Sequence, residues 1–163
     1  MSYDDKKLVT LLESTLNPTL RKQAEEELSA VHNAVGFSTT LLQLVMSDQV
    51  QMPVRQAGAI YLKNLINQFW LERRVDKPNE PMPYSLQESD RTTIRDNLIE
   101  AVIHSPDPIR AQLIVCVRTI SQQDFPEKWP GIIDKVHQFI QTNDINSWYG
   151  ALQAYYQLCK IFE

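Results

Sequence analysis

This sequence is short of glycine, cysteine, histidine and surplus basic charge, and each shortage closes off a class of protein. Only four glycines occur in 163 residues. Glycine supplies the positive-φ positions that tight hairpins need, and no stretch alternates polar with apolar over a strand's length between turn signals. An all-α chain is expected, with essentially no sheet. The two cysteines, Cys116 and Cys159, both fall inside helical patterns and read as buried cytosolic thiols, not a disulfide. His32, His104 and His137 lie far apart, so no cluster has metal spacing, and no glycine-rich phosphate loop is present. No metal, cofactor or catalytic constellation is expected, and the chain is not read as an enzyme. Net charge is −4, divided as −3 over residues 1–50, zero over 51–106 and −1 over 107–163. That leaves no basic field for direct nucleic-acid binding. Residues 1–5 are acidic and no signal-type apolar stretch follows them. The longest helical run, Pro53 to Arg74, carries Arg55, Lys63, Asn64 and Asn67, which bars it from a bilayer.

What the chain does have is a recurring phrase. Asn17-Pro18-Thr19-Leu20-Arg21, Met52-Pro53-Val54-Arg55 and Asp107-Pro108-Ile109-Arg110 each open a helical run. Proline is tolerated at the first helical position because its missing N–H has no intrahelical partner there. The prolines stand 35 and then 55 residues apart. The wider gap holds a proline-rich insert from Val75 to Ser89; without it the period is about 40, the signature of an α-solenoid of paired helices. Such chains are normally binding surfaces. The end of the chain, Lys160 to Glu163, lies in an apolar helical pattern without a stop signal, so the chain reads as the front of a longer protein.

Apolar residues at helical spacing place eight helices. The first covers about Asp4 to Leu16, with Leu8, Leu11, Leu12 and Leu16 inward. The second runs from Pro18 to about Asn33, capped by Asn17, with Leu20, Ala24, Leu28 and Val31 inward. The third covers about Phe37 to Ser47 and the fourth Pro53 to about Arg74. An irregular loop from about Val75 to Glu88 contains Pro78, Pro81 and Pro83. The remaining four cover about Ser89–His104, Pro108–Gln123, Pro130 onward and Ile145 to the end. The pairs give repeats at about 4–33, 37–74, 89–123 and 130–163. On the fourth helix, Val54, Gly58, Tyr61, Leu62, Leu65 and Phe69 form a core stripe. Gly58 within it predicts close approach of a neighbouring helix. The last helix, with Trp148, Leu152, Tyr155, Tyr156 and Leu158, should bury one side only and leave an apolar patch on the other.

The string from Pro53 to Ile66, PVRQAGAIYLKNLI, followed by Trp70, resembles the second HEAT repeat of the importin-β superfamily. Arg21, Ala24, Glu25 and Leu28 look like the matching first-repeat pattern, and Arg110-Ala111-Gln112-Leu113 followed by Asp124-Phe125-Pro126-Glu127-Lys128-Trp129-Pro130 looks like the third-to-fourth repeat junction. The run from Ile94 to Pro106, with the proline-rich insert, is similar to the importin seven and importin eight subgroup. The resemblance covers nearly the whole chain and implies an α-solenoid of about four HEAT repeats. In that frame Arg55 and Arg110 pair with carboxylates or carbonyls of adjacent helices, Trp129 plugs the gap between repeats, and Trp70 is a core plug.

The resemblance further implies a nuclear import receptor that shuttles between cytoplasm and nucleus. Its concave face, lined by the second helix of each pair, would bind the small GTPase Ran in its GTP form and couple this to cargo release. Protein cargo and FG-nucleoporins would be held mainly by further repeats, with importin-β itself as another partner. An exportin of the same superfamily, which loads cargo with Ran, and a HEAT scaffold unrelated to transport are the alternatives. The candidate Ran contacts are Lys22, Glu26 and Ser29 on the second helix, Gln56, Ile60, Lys63 and Asn67 on the fourth, and Arg118 and Gln122 on the sixth. Exposed Ile60 amid amide and amine groups suits a partner surface. The acidic run Glu25-Glu26-Glu27 reads as a solvated face that could also meet a basic partner.

Overall fold

The structure is a computed structural model that describes residues 4–71 and 83–163. Among them are eight helices and no strand: α1 (Asp5–Leu16), α2 (Arg21–Val31), α3 (Phe37–Met46), α4 (Met52–Phe69), α5 (Glu88–His104), α6 (Asp107–Asp124), α7 (Ile132–Ile140) and α8 (Ile145–Cys159). The expected all-α solenoid is present. Consecutive helices pack as α1–α2, α3–α4, α5–α6 and α7–α8. The first members form one row, α1–α3–α5–α7, while α4, α6 and α8 lie side by side in the other. One continuous apolar core runs between the rows, from Leu8 and Leu12 through Phe37, Leu62 and Ile99 to Val136 and Leu158.

The recurring phrase has a physical job at each repeat. An α-helix leaves its last four carbonyls without intrahelical donors. The arginine opening each second helix turns back onto those of the helix before it. Arg21 Nε donates to the Thr15 carbonyl at 2.9 Å, Arg55 Nε to Val45 at 2.8 Å and Arg110 Nε to Val102 at 3.1 Å. Arg110 adds a bond from Nη2 to the Ser105 carbonyl at 2.8 Å and one from Nη1 to Asp107 at 2.9 Å. A cation at a helix C-terminus also opposes the macrodipole, by about 0.3–1 kcal/mol at exposed sites. The arginine thus fixes the angle of every hairpin in the first three repeats.

Two buried carboxylates tie repeats together. Asp90 of α5 accepts the Gly36 N–H at 3.0 and 3.1 Å and the Ser38 hydroxyl at 3.3 Å. It therefore caps α3 from another repeat. Asp124, at the end of α6, accepts from Trp70 Nε1 at 3.1 Å and Arg95 Nη1 at 2.7 Å on one oxygen. Arg95 also bonds Glu88, and the guanidinium carbons of Arg91 and Arg95 each stand 5.9 Å from the Trp70 ring centroid. Trp70 is the core plug that the sequence implied, and Trp129 is likewise buried, its N–H donating to the Asp124 carbonyl at 3.0 Å.

Several boundaries differ from expectation. The helix expected from Pro18 begins at Arg21, because Asn17 nucleates a turn instead: its side chain accepts from Thr19 N at 2.9 Å. Leu16 and Leu20, expected inward, flank that turn and are 45% and 46% exposed. Helix α4 stops at Phe69 and α8 at Cys159, short of the expected Arg74 and chain end. Arg74 and most of the proline-rich loop lie outside the described residues. Within the described part, the chain returns to α4 through the Leu86 N–H, which donates to the Phe69 carbonyl at 2.9 Å. Cys116 is buried, and desolvation pushes its thiol up to about 12. Cys159 is exposed, which corrects the expectation of two buried thiols: it sits on the last turn of α8, where nothing covers it among the described residues. The α8 face with Trp148, Leu152, Tyr155 and Tyr156 is exposed as expected, joined by Ile145, while Leu158 is on the buried side.

Gly58 is where α4 meets α1 and α3. A Cβ there would come within 3.1 Å of Val45 Cγ2, 3.4 Å of Leu12 Cδ1 and 3.5 Å of Leu41 Cδ1. All three are ends of flexible side chains, so an added methyl can be absorbed and a larger group cannot. Gly58→Ala should be nearly neutral, because alanine recovers up to about 1 kcal/mol of helix propensity. Gly58→Leu should cost about 1–3 kcal/mol or more by overpacking. Thermal melts of the two variants check this; equal melting temperatures would refute the packing account.

Candidate partner-binding face

The nine candidate residues occupy the outward side of α2, α4 and α6. Lys22, Glu26 and Ser29 are exposed on α2, and Arg118 and Gln122 on α6. On α4, Ile60 is 38% exposed and Asn67 is exposed, while Gln56 and Lys63 are half-buried. Helical periodicity alone accounts for this: the buried stripe of α4, Val54, Gly58, Leu62 and Leu65, points the other residues away from the core.

The structure joins some of these residues and separates others. Lys63 Nζ donates to Gln112 Oε1 at 2.9 Å, and Asn67 Oδ1 accepts from the Thr119 hydroxyl at 2.7 Å. These two bonds, seven residues apart along α6, lace α4 to α6 across their outer edges. Gln112 and Thr119 were missed from sequence. Neither has a local signal, since each acts only through a helix about 50 residues away. Val115, on the same outer stripe as Arg118 and Gln122, is 37% exposed and adds a second apolar group beside the polar ones.

The α2 residues are not laced in this way. Between α2 and α4 lies an open cleft. Its larger hollow, of about 480 Å³, has Ser29 and His32 on one wall and Asn64, Asn67 and Gln68 on the other. A second hollow of about 400 Å³ contains Ile60 and is floored by Leu12 and Ala57. Glu25, Tyr61 and Asn64 belong to both. Lys22 and Glu26 line neither hollow, so on α2 only Ser29 of the candidates meets the α4 residues.

Electrostatically the cleft is quiet. Burial lowers the His32 pKa below its ordinary value of 6.5, so the ring is neutral at pH 7. It packs, tilted, against both Phe69 and Tyr84, with centroids at 5.0 and 5.6 Å. Burial also pushes the Tyr61 hydroxyl up to about 12, keeping it a neutral donor and acceptor 3.4 Å from His32 Nδ1. Among the described residues no group of three His, Cys, Asp or Glu could hold a metal ion. No described helix is long and apolar enough to cross a membrane.

Residues 24–104 match the model of the importin-beta N-terminal domain. Over 160 residues, 98% of the chain, the sequence is 44% identical to importin-8 of Danio rerio and 42% identical to importin-8 of Homo sapiens. It is 34% identical over 155 residues to exportin-2 of Drosophila melanogaster. The chain spans only 15–16% of these relatives' own lengths. Its fold matches a solved structure, the exportin Cse1 in its cargo-free, cytoplasmic state, with a TM-score of 0.86 over 97% of this chain, 16% of that chain and 22% sequence identity.

Proposed function

The chain belongs to the importin-β superfamily, its residues 24–104 forming an importin-β N-terminal domain, and from that premise we propose that it serves in a nuclear import receptor. The outward side of α2, α4 and α6 binds Ran in its GTP form. That binding opposes cargo binding elsewhere on the receptor, a reciprocal coupling between sites. Cargo and FG-nucleoporins meet mainly the parts of such receptors that this chain does not span, and importin-β is a further partner. The receptor shuttles between cytoplasm and nucleus and acts as a carrier, not a catalyst. The observation that carries the import reading is the higher identity to importin-8, 44% against 34% for an exportin-2. Export is the second reading, favoured by the exportin relatives and by the fold of Cse1.

Pull-down of the chain with Ran loaded with GTP or GDP tests the partner. Retention of the GTP form alone is expected; equal retention of both, or neither, would overturn the reading.

Lys63 and Asn67 are the sharpest residue-level test. They flank Ile60 and form a polar rim around an apolar anchor. Lys63→Ala with Asn67→Ala should weaken GTP-state Ran binding by about 1–3 kcal/mol if both are hot-spot contacts. Because the two also bond Gln112 and Thr119, Gln112→Ala with Thr119→Ala is the control. It removes the same interhelical bonds but leaves the candidate contacts. Equal weakening by both double variants would assign the effect to helix lacing, and the placement would be wrong.

A further inference from the structure

We propose that α2 is a detachable helix held by a clasp at His32, and that its undocking as one unit is a conformational switch built into this fold. Of its eleven residues only Ala24 and Leu28 are buried, whereas α4 buries seven and α6 eight. Helix α2 packs closely on α1 and on no other helix among the described residues. The dependence is not mutual, because α1 also packs on α3 and α4, with Leu12 against Gly58. An isolated helix of about this length is marginal in water, since packing of its apolar stripe supplies most of its stability. Leaving α1 therefore unfolds α2 while the rest of the core stays closed. Elements with few buried apolar contacts open in this way at a free energy below that of global unfolding.

The clasp is built at one end of the helix. At the start of α2 the tie stays within its own hairpin, Arg21 Nε on the Thr15 carbonyl. At the other end His32, the C-cap, reaches two distant parts of the chain. Its carbonyl accepts from the Tyr84 hydroxyl at 3.2 Å, and its Nδ1 lies 3.4 Å from the Tyr61 hydroxyl of α4. That hydroxyl also bonds the Ser29 side chain of α2. The His32 ring meets Phe69 and Tyr84, whose own rings meet edge-on at 5.1 Å. Tyr84 is held in register by the Leu86 N–H on the Phe69 carbonyl at 2.9 Å. The end of α2 is thus joined to α4 and to the segment leading into α5, partners 29 and 52 residues away. These bonds are neutral and only part-buried. Each nets a small free energy against water, so together they bias the docking of α2 without locking it. Undocking carries Lys22, Glu26 and Ser29 away from the α4 residues, so the clasp decides whether the outward side consists of three helices or two.

Native-state hydrogen exchange, followed amide by amide with small additions of urea, tests this. In the unmodified chain the amides from Glu25 to His32 should open with one common free energy, below that of α4 and α6. Tyr84→Phe removes the bond to the His32 carbonyl and keeps the ring contacts. It should lower protection across α2 about fivefold, the worth of one neutral hydrogen bond. His32→Ala keeps the carbonyl and removes the ring, and should lower protection across α2 about tenfold, since ring contacts and the Tyr61 bond go together. Tyr155→Phe, on the exposed face of α8, is the control and should leave α2 unchanged. Protection in α6 and α8 should stay within about twofold in every variant, as expected of independent sites. A loss confined to the last turn of α2 would mean a fraying cap. An equal loss in α6 would mean global destabilisation, and unchanged α2 protection in both clasp variants would mean no clasp. Each of these outcomes overturns the proposal. The assay contains no GTPase, so its outcome leaves the Ran reading untouched.

Discussion

Asp124→Ala should lower the stability of the fold by about 3–5 kcal/mol, the cost of breaking a buried ion pair by removing one partner. The carboxylate is almost wholly enclosed, and a single oxygen serves both Trp70 Nε1 and Arg95 Nη1. Without it, Arg95 keeps only the exposed Glu88 carboxylate and the Thr92 hydroxyl as partners, and the Trp70 N–H is left buried without an acceptor. Asp124→Asn should cost less, because an amide oxygen still accepts one of the two bonds. Urea unfolding of both variants measures this. A loss below about 1 kcal/mol for the alanine variant would mean that the node is solvated or replaceable. The node joins the ends of α4 and α6 to the first turns of α5, so hydrogen exchange should rise at those three places first.

Trp129→Ala should cost a similar amount, about 3–5 kcal/mol, through lost burial and an unfilled cavity. Trp129 sits buried in the turn between α6 and α7 and lines one hollow with Arg95 and Ile99 of α5. For a chain of this size the melting temperature should fall by about 10 °C. Trp129→Phe should recover part of the loss, since a smaller ring fills part of the same volume. If the melting temperature of the alanine variant is unchanged, the indole is not the plug between the third and fourth pairs. Neither substitution touches the outward side of α2, α4 and α6, so at temperatures where the variants stay folded, Ran binding should be preserved.

These two sites mark where sequence reading worked and where it stopped. Trp70 and Trp129 were legible as plugs because large aromatics in a recurring motif have few places to go. Asp124 was legible only as a letter in that motif. Its role needs Trp70 and Arg95, which are 54 and 29 residues away, and no local pattern encodes that meeting. Asp90 is the same case: a polar residue near the start of a helix reads as a first-turn acid, yet it caps a different helix. Leu16 and Leu20 failed in the opposite direction. Their spacing is correct for a buried stripe, but the turn at Asn17 shifts the start of α2 to Arg21 and leaves both outside the core.

The sequence by itself determined the all-α class, the pairing of helices, the hairpin arginines and the outward face of α4. Each follows from short-range rules: proline and arginine positions, helical period, and a glycine where two helices touch. Only the tertiary structure decided which outward residues are free. Lys63 is tied to Gln112 of α6 and Asn67, on the wall of the α2–α4 cleft, to Thr119, while Asn64 and Gln68 face that cleft without such a bond among the described residues. The physical reason is that exposure along one helix is set by its own period, whereas the neighbour it meets is set by how α1, α3 and α6 pack against it. Leu12 of α1 both packs against Gly58 of α4 and lines the α2–α4 cleft, and that meeting of separate helices is not written in any single one of them.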